Sequence, residues 1–311
     1  MNFPQERLLK KYENNPVMSP DRMPVQCLYT FNPGAIKHNG EYILMMDVTG
    51  TDDIHRIWIA RSKDGYHFTP DPQPPRWPAP DPTHVEMNTY DPRITKFGDE
   101  YIILYASDLG QNECRVGIVK TKDFETFERV STASELGNRN GALFPEKING
   151  LYCRLDRPFG DEQKPCSMWV SYSPDLVFWG KSQPVTYQGK PFMDGFKMGA
   201  GAVPIRVKEG WLELYHTVST TCNGFIYRIK ACILDAEDPS KIIGYTKDFI
   251  LWPEHDYENR GRVSNVTFIC NALPEEDGSL KIYYGAADTN IGLATGQIDA
   301  IVKACLENKD I

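Results

Sequence analysis

GDEYIILY, residues 98–105, decides how the chain must fold: a Gly-Asp turn runs straight into an unbroken apolar and aromatic stretch. This is hairpin chemistry, a turn residue tolerant of positive φ followed by a buried strand. The arrangement recurs in NGEYILMM (39–46), NGLYCRL (149–155), EGWLELY (209–215) and DGSLKIYY (277–284). From first to last, the five starts are separated by 59, 51, 60 and 68 residues. A second motif follows three of them: SKDGYHF (62–68), TKDFETF (121–127) and SPDLVFW (173–179) each place a hydroxyl residue two positions before an aspartate, with aromatics close behind. Such turns are pinned by Ser/Thr and Asp side chains and lead into a short outer strand. KDF at 247–249, followed by WPE at 252–254, reads as a decayed fourth copy.

Five copies of a four-strand unit at roughly 60 residues each predict an all-β fold, a five-bladed β-propeller forming one domain over residues 1–311. A β-sandwich would show strands every 8–12 residues without the long period. Helical patterning is scarce. Its clearest instance is QERLLKKYE, residues 5–13, so a short helical extension over residues 1–14 is expected ahead of the first blade, placed to pack on a neighbouring subunit of a homo-oligomer.

Composition narrows the function classes. The chain has 311 residues, 12% aromatic, with a net charge of −8 and no basic tract, which argues against nucleic acid as a partner. The eight cysteines form no Cys-x-x-Cys pair and no Cys/His cluster with zinc spacing, and the histidines include no His-x-x-x-His pair. Free thiols, an N-terminus without an apolar leader segment and the lack of a membrane-length apolar run give the expectation of a cytoplasmic protein off the membrane, without a metal or organic cofactor.

In a propeller the inner strands converge on an axial channel, so polar groups there are the candidates for chemistry. TYDPRI (89–94) sets Tyr90, Asp91 and Arg93 around a proline. An extended backbone at Asp91 would point Asp91 and Arg93 to one side. NRNGALFPEKINGLYCRLDRP (138–158) contains Arg139, Arg154 and Arg157. Arginines converging on one pocket suit an oxyanion such as phosphate, because guanidinium donates in a rigid fork. The competing reading pairs them with Glu146 and Asp156 as ordinary salt bridges. His216 is a second-rank candidate for the channel wall. No Gly-x-Ser-x-Gly elbow and no P-loop occurs.

In order along the chain, FNPGA (31–35), Arg56 followed by ARSKDG (60–65), YDPR (90–93), ALFPEKING (142–150), RLDRP (154–158), KMGAG (197–201) and YYGAADT (283–289) with GLAT (292–295) resemble glycoside hydrolase family 130, the β-mannoside phosphorylases and their relatives. The resemblance implies a five-bladed propeller and an inverting phosphorolysis. In that reaction, inorganic phosphate as co-substrate attacks a β-mannoside, such as 4-O-β-D-mannosyl-glucose or a β-manno-oligosaccharide. The products are α-D-mannose 1-phosphate and a shortened acceptor. It makes Asp91 the catalytic acid, acting through a sugar hydroxyl, and Arg139, Arg157 and Tyr227 the phosphate-binding set. Tyr90, Arg56, Lys197, Asp288, Asn140, Asn32 and His216 are the substrate-binding candidates. A phosphate dianion needs no general base, so one carboxylic acid beside an anion site can suffice. The alternatives are a β-mannoside hydrolase on the same fold, whose activating glutamate has no evident counterpart here, and a non-catalytic sugar-binding propeller. The proline-rich loop 70–82 is an expected wall of the channel mouth.

Overall fold

The computed structural model describes residues 7–79, 86–108, 114–132, 137–159 and 166–307. Five sheets, antiparallel apart from one short parallel pairing of Thr186–Tyr187 with Lys241–Tyr245, follow one another along the chain and form the five blades of a propeller. In blade I the strands run Cys27–His38, Glu41–Gly50, His55–Ser62 and Thr69–Pro70. Blades II and III repeat the order with Asn88–Phe97, Glu100–Asp108, Cys114–Thr121 and Glu128–Ser131, then Asn138–Leu143, Tyr152–Pro158, Trp169–Ser173 and Gly180–Pro184. Blade IV is built on Lys197–Ala200, Gly210–Thr221, Gly224–Leu234 and Lys241–Tyr245, and blade V on Thr267–Ile269, Ser279–Ala286 and Asn290–Gln297.

Each of the five repeated sequence stretches becomes the second strand of its blade, and packing explains why these runs are mostly apolar on both faces, with Arg154, Glu213 and Lys281 as charged exceptions. Successive side chains point to opposite faces of a strand. Ile43 packs with Ile103 in a cluster between blades I and II, while its neighbour Leu44 packs with Tyr283 between blades V and I. Leu104 joins Leu143 between blades II and III. A blade sandwiched between two others has no solvent face, so alternation is lost as it is in any doubly covered sheet.

The hydroxyl–Asp turns close as their sequence requires. Ser62 Oγ accepts from the N–H groups of Asp64 and Gly65, and Asp64 Oδ1 accepts from those of Tyr66 and His67. Thr121 with Asp123 and Ser173 with Asp175 reproduce the pattern. The expected fourth copy differs: Thr246 Oγ1 takes the N–H of Ala231 instead of pinning a turn.

The helix expected over residues 5–13 is not formed by its described part. Leu9–Lys11 is a strand paired with Asn290–Gln297, Leu9 opposite Gly296, so the start of the chain supplies the outermost strand of the last blade and closes the ring. Tertiary pairing overrides local propensity here: Leu9 enters the core between blades IV and V, and the Lys11 ammonium reaches the fully buried Glu258 at 2.8 Å. The segment therefore packs on its own chain; residues 1–6 lie outside the described set. The longest helix is at the other end, Ile298–Leu306, which buries Ile301, Val302 and Cys305 against blades IV and V. Its apolar spacing at 298, 301, 302 and 305 is helical and legible in the sequence. All eight cysteines are free thiols, and no described helix is long and apolar enough to cross a membrane.

Candidate active site

Three inner strands carry the same irregularity. Pairing with the second strand slips between Phe31 and Gly34 in blade I, between Tyr90 and Arg93 in blade II, and between Arg139 and Ala142 in blade III. At each slip one non-glycine residue has positive φ: Asn32 at 41°, Asp91 at 53° and Asn140 at 58°. Asn and Asp tolerate this conformation better than other side chains, and a bulge re-aims the residue it contains. The extended backbone expected for Asp91 is therefore corrected by the structure. Arg93 does not pair with the Asp91 carboxylate either; its guanidinium donates to backbone carbonyls, those of Asp91, Ala200 and Gly201.

The bulges open onto an axial cavity of about 500 Å³. Its walls include Asn32, Asp47 and His55 from blade I, Tyr90, Asp91 and Asp108 from blade II, and Arg139, Asn140 and Arg157 from blade III. Lys197 and Tyr227 come from blade IV, Phe268 and Asp288 from blade V, and Arg262 from the connection into blade V. Asp91 accepts a hydrogen bond from Asn32 Nδ2 at 2.8 Å. Tyr90 donates its hydroxyl to Asp108 at 3.1 Å and lies under the Arg139 guanidinium.

One side of this cavity is rich in carboxylates. Asp47 is fully buried and shares a hydrogen bond with His55 Nδ1 at 2.9 Å, while Arg262 donates to His55 Nε2 at 2.6 Å. Burial pushes the Asp47 carboxyl up to about 6, against the pull of His55. Asp288 rises to about 7 for the same first reason, reinforced by the charges of Asp91 and Asp47.

The other side is cationic. Arg139, Arg157 and Lys197 have no carboxylate within ion-pair distance among the described residues, and the buried Nε atoms of both arginines lack a partner. Burial, then the charge of Arg139, pushes Arg157 down from its ordinary value. A buried guanidinium, Arg157, beside a half-buried one, Arg139, with no carboxylate paired to either, suits an anion. Of the three arginines in that stretch, it is Arg154 that makes the structural ion pair: its Nε lies 2.9 Å from Asp156, both fully buried, and its guanidinium stacks on Trp179. Glu146 faces Arg206 instead. His216 stands behind the wall, its Nε2 3.3 Å from Arg157 Nη1. Burial first, and then Arg157, drive its pKa well below the ordinary value, so it accepts that bond as a neutral imidazole.

Two more of the expected positions, like His216, lie off the described cavity lining. Arg56 does not line the cavity; its guanidinium is held at the surface by Asp52 at 2.7 Å. The described part of the proline-rich loop turns away too, with Trp77 packed on Tyr105 and Phe127 and Pro78 accepting from Arg129; residues 80–82 lie outside the described set. Asp47 and Arg262 were not anticipated. Asp47 does carry a signal, a lone carboxylate in the apolar run 42–48, whereas Arg262 sits on an irregular connection with no periodicity to place it.

The model of glycoside hydrolase family 130, described as β-1,4-mannooligosaccharide phosphorylase, matches residues 3–307. A β-1,4-mannooligosaccharide phosphorylase of Ruminococcus albus is 35% identical over 301 residues, covering 94% of this chain and 89% of its own. A 1,2-β-oligomannan phosphorylase of Thermoanaerobacter is 33% identical over 297 residues, covering 92% and 96%. Among solved structures, the β-1,2-mannobiose phosphorylase of Listeria innocua in complex with β-1,2-mannobiose superposes with a TM-score of 0.84 at 29% identity, covering 96% of this chain and 99% of that one.

Proposed function

The chain belongs to glycoside hydrolase family 130, and on that premise we propose that it is a β-mannoside phosphorylase whose cationic wall holds inorganic phosphate and whose carboxylate wall holds the mannosyl unit. The observation that carries this reading is the pair of guanidiniums of Arg139 and Arg157, without carboxylate partners and with buried, unbonded Nε atoms, in the same cavity as Asp91. Arg139, Arg157 and Tyr227 bind phosphate, with His216 steadying Arg157 from behind. Asp91, aimed by its bulge and by Asn32, is the acid. A phosphate oxygen attacks the anomeric carbon while the glycosidic oxygen leaves with a proton that originates on Asp91. The C–O bond to the acceptor breaks as the C–O bond to phosphate forms on the opposite face, giving α-D-mannose 1-phosphate. Phosphate arrives already anionic, so the cationic end needs only to neutralise and orient it.

A hydrolase on this fold would activate water with a glutamate, and no glutamate is among the described residues lining the cavity. The experiment is release of mannose 1-phosphate from 4-O-β-D-mannosyl-glucose and from β-1,4- and β-1,2-mannobiose, with and without phosphate. Formation that requires phosphate is expected with at least one of them. Cleavage at equal rates without phosphate would overturn the phosphorylase reading in favour of the hydrolase.

A further inference from the structure

Arg93 lies outside the cavity, yet it touches both of its halves through the backbone. It is 1% exposed and makes no ion pair among the described residues. Nη1 donates to the Asp91 carbonyl at 3.1 Å, Nη2 to the Ala200 carbonyl at 3.0 Å and Nε to the Gly201 carbonyl at 2.8 Å. The first bond fixes the peptide that follows the left-handed Asp91. That conformation is sparsely populated by non-glycine residues, and it persists where the surroundings over-determine it. The other two bonds hold the end of the strand Lys197–Ala200. This strand supplies Lys197, and its Gly199 leaves the space into which Arg157 and His216 pack. Gly201 is held from the far side as well, its N–H donating to the buried Glu213 at 3.0 Å.

We propose that Arg93 is a positioning residue: one guanidinium, spanning the axis from blade II to blade IV, sets the separation between the acid Asp91 and the phosphate end of the cavity. It is not among the residues lining the cavity and acts through the backbone. The planar fork is what the task requires, because its donors point to fixed carbonyls on two blades at once, and a lysine ammonium cannot reproduce that geometry. The inference rests on Asp91 being the acid.

The test compares Arg93→Lys with Thr95→Val. Thr95 lies two residues on in the same strand and donates to the Leu143 carbonyl at 3.0 Å, a buried inter-blade bond that does not involve Asp91. Displacing an acid by about 1 Å can cost 10²-fold, so Arg93→Lys is expected to lower kcat by about that factor and raise the phosphate KM, leaving the mannoside KM nearly unchanged. Thr95→Val is expected to lower Tm while kcat stays near wild type. Arg93→Gln, which removes the buried charge, takes the place of the lysine variant if that does not fold. Wild-type kcat and phosphate KM in a folded Arg93 variant would overturn the proposal. So would an equal kcat loss in Thr95→Val, or failure of both Arg93 variants to fold, since Arg93 would then be scaffold only. If Asp91→Asn abolishes turnover while Arg93→Lys does not alter it, this inference fails and the proposed function stands; if Asp91→Asn turns over normally, the acid assignment itself fails.

Discussion

Blades I, II and V line the cavity with Asp47, Asp91 and Asp288; blades III and IV line it with Arg139, Arg157 and Lys197. The two sides resolve their charge differently. On the acidic side Asp47 and Asp288 are raised toward neutrality, Asp47 is tied to His55 and through it to Arg262, and Asp91 accepts from Asn32. On the basic side the guanidiniums cannot shed their protons, and their buried Nε atoms are left without partners. A carboxyl that protonates can sit against a neutral, hydroxyl-rich ligand at little cost, whereas an arginine that cannot deprotonate calls for an anion. The contrast is what supports the proposed placement of sugar at one wall and phosphate at the other.

The largest effect is expected on the acidic side. Asp91→Asn preserves the bulge, since asparagine tolerates positive φ, but removes the proton. Loss of a general acid typically costs 10²–10⁴ in rate. Turnover should fall by that range with Tm little changed, read as initial rate of mannose 1-phosphate formation beside a melting curve. Near-normal turnover would leave the acidic wall without its proposed chemistry.

Next comes the basic side. Arg139→Lys and Arg157→Lys keep a charge and lose the fork, at about 1.5–3 kcal/mol for a charge-assisted bond. The phosphate KM should rise by roughly 10- to 100-fold, or kcat fall with it, while mannoside binding without phosphate changes little. A drop in Tm with normal phosphate dependence would instead make these arginines structural, as Arg154 is.

The comparison also shows what the sequence makes legible. Asp91, Asn32 and Asn140 were nameable from motifs, and the structure adds the reason they are equivalent: each occupies the bulge of an inner strand, a repeat within the repeat. The five-blade count was legible because each blade's second strand is covered on both faces and so reads as a mostly apolar run behind a turn. The N-terminal strand was not legible, because Leu9–Lys11 takes its conformation from the open edge of Asn290–Gln297, almost the whole chain away. Arg262 was not legible for a similar reason: only folding brings it to His55. Arg93 looked like an ion-pair partner for Asp91, and the bulge between them sends it to the backbone of blade IV instead.

A smaller effect concerns pH. Asp47 and Asp288 have folded pKa values of about 6 and about 7, above the ordinary aspartate value near 4. A carboxyl raised on folding binds its proton more tightly in the native state. Its stabilising contribution is therefore complete below about pH 4 and is lost as pH climbs through the folded value. The substrate-free protein should lose stability between about pH 4 and 7, and Asp288→Asn should flatten that slope by up to about 1.4 kcal/mol per pH unit, the limit for one proton. Denaturant midpoints measured across that range read it directly. An unchanged slope in the variant would show that the acidic wall is better solvated than its burial implies.

The smallest effect is expected at Arg56, which tests where the acidic wall ends. The family resemblance puts Arg56 among the substrate contacts, but its guanidinium is about two-fifths exposed and bound by Asp52, itself half exposed, and it does not reach the cavity lining. An exposed ion pair of this kind is screened by solvent and contributes little to stability. The loop it braces does approach the site, since Asp53 is part of the cavity wall and the N–H of Asp53 is bonded to the Gly50 carbonyl at 3.0 Å. Arg56→Ala should thus shift Tm by no more than a few degrees and leave kcat/KM for mannoside within about threefold of wild type, with the phosphate KM unchanged. A loss of tenfold or more in mannoside kcat/KM, at normal Tm, would mean that Arg56 leaves Asp52 when sugar binds, and the acidic wall would then gain a cation that joins it only in the complex.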